Sequence, residues 1–220
     1  MLENPVDKLF NFLHFNSQEK TTLANIIRFV IYFFILLFLV IGLWAITKHY
    51  GPNTFAEGGA IENIQLALLL ITSFIFLKES IQYKLYQPLL LFFASLTIFA
   101  FIREQDAFFE TILPFISWKF AWFFPLLGAW NLFKKRKNLR KIIFSFLNSQ
   151  AFQLMFMAMI VFIPLAQCIG HRPFIVDAMK SSENMITVRR LIEETMELVA
   201  YVLIFLSSIE MYLGLIKKEK

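Results

Sequence analysis

The sequence predicts an all-α integral membrane protein: a six-helix transmembrane bundle with short loops and an N-terminal interfacial amphipathic helix. Two observations carry that prediction. Hydrophobic residues fill 58% of the 220 positions and charged residues only 17%, whereas soluble domains carry about 25% charge. The charges are also spaced so as to leave six apolar stretches, each near the roughly 20 residues that a helix needs to cross a hydrocarbon core about 30 Å thick. The same composition excludes a disordered chain. A lone cysteine, Cys168, excludes an internal disulfide framework and any cysteine-built zinc or iron–sulfur site.

The elements follow in chain order within a single transmembrane domain, 1–220. In the cytoplasmic segment 1–25, Leu2, Val6, Leu9 and Leu13 recur at helical spacing beside Phe10 and Phe12, the pattern of a helix lying on the membrane surface. Asn16 or Ser17, with Glu19 close behind, supplies a cap for the next helix. Span one, 29–47, runs between Arg28 and Lys48; its apolar run is too long for a signal-peptide core and no A-x-A site follows. Span two, 59–77, carries Glu62 near its start, and span three, 85–102, lies between Lys84 and Arg103. Span four is 114–133, span five 146–168 and span six 195–216. Pro88, Pro114, Pro125 and Pro164 predict kinks. Thr72, Ser73, Ser95, Thr97, Ser207 and Ser208 predict hydrogen bonds across helices or back to their own backbone. Glu210 is expected to snorkel or to pair with Lys217 or Lys218. With 7 Gly and no GxxxG, close helix crossings are not signalled.

Orientation follows from the basic residues. Six spans put both termini on one side, which collects 14 of the 21 Lys and Arg, including Lys134, Lys135, Arg136, Lys137, Arg140 and Lys141. That side is assigned to the cytoplasm of a bacterial inner membrane. The KKRKNLRK run resembles a nucleic-acid patch, but between two spans it is better explained as a loop touching anionic lipid headgroups. The excess positive charge therefore implies a lipid bilayer and no nucleic acid.

On the opposite side the charges are mixed and sit at helix ends. Glu62, with Asn63 and Gln65, opens span two, Arg103, Glu104 and Asp106 close span three with Glu110 one turn beyond, and Arg189, Arg190, Glu193, Glu194 and Glu197 lead into span six. Arg189, Glu193 and Glu197, spaced by four, stack on one helix face. Charges beside hydrocarbon are costly unless they pair or face a polar cavity. Glu62, Arg103, Glu104, Asp106, Glu193 and Glu197 are thus the candidate ligand-binding residues. The competing reading is that such groups only staple helix ends together, which suits Arg189, Arg190 and Glu194. Glu193, Glu197 and His171 are the available metal ligands, with Cys168 three residues before His171. A shared site requires the carboxylates to lie within roughly 10 Å of one another.

Three functional classes remain. The first is a protein that binds or transports a cation, a proton or a small polar solute at the charged outer pocket. The second is a lipid-directed hydrolase or transferase at the outer leaflet, with Glu193 or Glu197 as base and Arg103 holding a phosphate or oxyanion. The third is a structural subunit of a membrane complex, an oligomer or a partner of another membrane protein. No motif names a cofactor. The doublet in IEETMEL departs from the EExxxR motif of intramembrane CAAX-type proteases, because position 198 is Leu.

Overall fold

The computed structural model describes residues 16–55, 58–105, 118–135, 138–169 and 185–219. Among these the chain is helical throughout, without a strand. Four helices are long and apolar enough to cross a membrane, or five if a bent pair is taken as one span, and they suggest an integral membrane protein. The chain divides into two compact units, 1–49 and 50–220.

The first unit holds all but the last residue of α1, Ser17–Tyr50. Its start is a reciprocal cap. The Glu19 backbone N–H donates to Asn16 Oδ1 at 2.9 Å, and the Asn16 N–H donates to Glu19 Oε2 at 2.8 Å. Two orphan donors of the first turn are thereby satisfied. Phe33, Phe38 and Trp44 stand exposed along it, as expected of a helix surrounded by lipid. Residues 1–15 of the amphipathic segment lie outside the described residues.

The second unit begins with a 3-10 turn, Gly51–Phe55, followed by α2, Ala60–Gln82, and α3, Gln87–Glu104. A tight turn joins the last two: the Tyr83 N–H donates to Glu79 O at 2.8 Å and the Tyr86 N–H to Tyr83 O at 3.0 Å. A second 3-10 turn, Trp118–Trp122, leads into α4, Phe123–Lys134. Then come α5, Leu139–Leu147, α6, Gln150–Ile160, a π-helical stretch Val161–Ile169, and α7, Met185–Glu219.

Several elements differ from the sequence expectation. The fourth apolar stretch yields a 12-residue α-helix, about 18 Å long. The fifth is broken: α5 and α6 meet at 76°. Ser149, in extended conformation, caps α6 by accepting from Phe152 N–H, while Asn148 ends α5. Phe146 therefore belongs to α5, whose apolar side buries Ile142 and Phe146 while Arg140, Lys141 and Phe144 stay exposed. The 35-residue α7 begins ten residues before the expected span. Pro88 and Pro125 lie in the first turns of α3 and α4, where no intrahelical N–H is lost, so neither kinks its helix. Pro164 alone among the described spans is interior, and there the helix widens to π geometry. Pro114 lies outside the described residues.

α7 is the most enclosed long helix: 56% of its apolar window is buried, against 33% for α2 and for α3. Phe93 of α3 joins the core, its ring 5.5 Å from Phe76 and 5.0 Å from Phe146, with Met211 and Leu215 of α7 in the same cluster. Two hydroxyl contacts tie helices together inside it. Ser73 Oγ donates to Thr97 Oγ1 at 2.9 Å, and Ser207 Oγ donates to the Ala151 carbonyl at 2.7 Å. One close crossing occurs without GxxxG: a Cβ on Gly128 of α4 would collide with Ser95 Oγ and come within 3.2 Å of Phe92 Cα on α3.

Candidate functional site

The α2, α3 and α7 helices bring their charged ends together. Arg103, in the last turn of α3, donates from one guanidinium nitrogen to Glu104 Oε1 at 2.6 Å and to Glu197 Oε1 at 3.0 Å. Two carboxylates from different helices thus share one nitrogen, far inside the 10 Å that a common site requires. Tyr201, one turn beyond Glu197 on α7, donates its hydroxyl to the same Glu104 Oε1 at 2.7 Å. The Arg103 guanidinium lies 5.1 Å from the Phe162 ring, which is 5.7 Å from Tyr201. The guanidinium is therefore held by charge on one side and by an aromatic face on the other.

Burial raises the stakes of these contacts. Glu197 is 4% exposed and Tyr201 2%, so each polar atom withdrawn from water needs its partner. The Arg103 side chain keeps 28% exposure, which leaves the site open at one edge.

Beside this group, Gln65 of α2 is fully buried and donates from Nε2 to both the Glu194 carbonyl and Glu194 Oε2, each at 3.1 Å. Glu194 lies within electrostatic reach of Glu104, Glu62 and Glu193. The site consequently has more carboxylates than guanidinium groups.

Of the residues singled out from the sequence, Arg103, Glu104 and Glu197 meet directly. Glu62 instead accepts from the Gly58 N–H at 2.6 Å, a reach-back cap at the start of α2. Glu193 faces Arg189 at 3.7 Å, with both side chains substantially exposed, the kind of pair that contributes little. Asp106 and His171 lie outside the described residues, and so does the side chain of Cys168. Among the described residues no three His, Cys, Asp or Glu side chains group so as to hold a metal ion.

Tyr201 and Gln65 complete the cluster without having been singled out as ligand residues. The i+4 step from Glu197 was the available signal for Tyr201; for Gln65 it was the i+3 step from Glu62. The anionic-lipid candidates Lys134, Lys135, Arg140 and Lys141 are exposed, while Arg136 and Lys137 lie outside the described residues.

At the far end of α7, Glu210 is 4% exposed and does not snorkel. It lines a cavity of about 140 Å³ with Tyr86, Ser145, Asn148 and Ser149. No protein-family model matches the chain, and neither does any curated protein or solved structure.

Proposed function

We propose that the chain is a polytopic protein of the bacterial inner membrane that binds or transports a cation, a proton or a small polar solute through the Arg103 cluster. The observation that carries the reading is the buried Glu197 meeting Glu104 on a single guanidinium nitrogen, with Tyr201 on the same carboxylate. Three helices converge on groups that are expensive to bury and unnecessary for packing apolar helices. An anionic surplus beside a partly exposed Arg103 favours a cationic or polar guest over an anion.

The topology proposed with it has six spans and cytoplasmic termini. In this reading α4 with its preceding 3-10 turn forms one span, about 28 Å long at the respective rises, and bent α5–α6 supplies another. The exposed Lys134, Lys135, Arg140 and Lys141 would then rest on anionic headgroups, and the Arg103 cluster would face the non-cytoplasmic side.

The test is flux and binding in proteoliposomes of the purified chain, with sodium, potassium, ammonium and protons as the panel. Wild-type protein is expected to carry or bind at least one of them above empty liposomes, and Glu197→Gln to abolish this while remaining inserted. A wild type indistinguishable from empty liposomes across the panel, in flux and in equilibrium binding, would sink the reading. The cluster would then be a helix staple.

A further inference from the structure

Gln65 is the group that the charge network leaves incomplete. Its side chain is wholly buried on α2. Both contacts of Nε2 are to acceptors, the carbonyl and the carboxylate of Glu194, so the amide cannot be flipped without setting oxygen against oxygen. The orientation of Oε1 is thereby determined, and among the described residues Oε1 has no hydrogen-bond partner. A buried amide oxygen without a donor loses its hydration with nothing in exchange, and such groups are rare in folded proteins.

The surroundings specify the donor that is missing. The Glu194 carboxylate accepts from the neutral Gln65 amide, and Glu104, Glu62 and Glu193 add negative potential around it. Arg103 is already committed to Glu104 and Glu197. Among the described residues, then, Gln65 Oε1 lacks an N–H or O–H donor in surroundings where carboxylates outnumber guanidinium groups. A metal cation would satisfy the charge, but it draws on several convergent oxygens, and no such group of acids exists among the described residues. Two directional acceptors, Gln65 Oε1 and the Glu194 carboxylate, are instead enough for a nitrogen that donates two hydrogen bonds.

We propose that Gln65 and Glu194 form the recognition element for a small ammonium cation, which donates one N–H to Gln65 Oε1 and another to the Glu194 carboxylate beside the Arg103 cluster. This deepens the reading of the site as cation-binding and rests on it. Selectivity comes from hydrogen-bond donation: charge draws any cation to the acidic surroundings, but only an N–H cation satisfies the buried oxygen.

The experiment compares ammonium, methylammonium, potassium and tetramethylammonium chlorides, at constant ionic strength, as ligands of the detergent-purified full chain. Affinity is read from the concentration dependence of the unfolding temperature and from equilibrium dialysis. Ammonium and methylammonium are expected to bind at least tenfold more tightly than potassium or tetramethylammonium, and Gln65→Leu to remove that preference. Equal affinity for all four would overturn the donor-specific inference and leave the cation-binding reading standing. Binding of none of them would overturn the ammonium inference, while the sodium and proton arms of the liposome assay separately decide the broader reading. The ligand comparison is made within wild-type protein, so it decides the matter even if Gln65→Leu fails to fold.

Discussion

The two ends of α7 handle buried carboxyl groups in opposite ways. At the Arg103 end, Glu197 and Glu104 share a guanidinium, Tyr201 adds a hydroxyl, and Phe162 covers the cation. At the other end, Glu79 of α2 is 1% exposed and neither carboxyl oxygen has a hydrogen-bond partner among the described residues. Glu210 lies buried against a small cavity that Tyr86, Ser145, Asn148 and Ser149 also line. Gln65 and Glu79 are fourteen residues apart on the same helix, about 21 Å, so neither end electrostatically compensates the other. One end is a cross-helix network whose members depend on each other. The other carries a polar group that the packing tolerates at a cost in stability.

The largest effect expected from this contrast is Arg103→Met. Removing the shared cation strands two carboxylates in a largely buried site, and breaking buried pairs costs roughly 3–5 kcal/mol; the partial exposure of Arg103 puts the loss at about 3 kcal/mol. Reversible denaturant unfolding in micelles, followed by helical circular dichroism, measures it. An unchanged midpoint would erase the distinction between the ends. A smaller change of opposite sign is expected for Glu79→Met, which replaces an unpartnered polar group with an apolar one of similar length. It should gain roughly 1–2 kcal/mol in the same assay, and a loss of stability would mean that Glu79 serves the folded state. Between the ends, Ser73→Ala deletes the bond to Thr97 and should cost only about 0.6 kcal/mol, the average for interhelical hydrogen bonds in a membrane. A cost comparable to that of Arg103→Met would show that polar groups contribute evenly along the bundle.

Much of the helical plan was legible in the residues. Apolar runs between charges located α1, α2, α3 and the body of α7, because a helix of that composition is defined by its own length and solvent. The Asn16–Glu19 cap was legible for the same reason, since all its atoms lie within one turn. The break at Asn148–Ser149 was not. An apolar count cannot separate a span from an amphipathic helix followed by a bend, and the exposed Arg140 and Lys141 are what distinguish α5. The Gly128 crossing was hidden as well, because a single glycine acquires meaning only from the Ser95 and Phe92 opposite it.

The same division holds within the site. From sequence alone came the helices, their apolar character, and the concentration of acids and arginines at particular helix ends; these are sums along the chain and need no knowledge of neighbours. Only the tertiary structure decided which of those charges meet. Successive residues on a helix point about 100° apart, so Glu194 leaves α7 in a different direction from Glu193 and Glu197, which share a face. Glu193 pairs with Arg189 within α7 itself, whereas the packing of α2 and α3 against the helix determines that Glu194 meets Gln65 and Glu197 meets Arg103. Glu62 turned back to cap its own helix, while Gln65, named beside it in the sequence, and Tyr201, which was not, became partners through register and rotation between helices, which no single run of residues specifies.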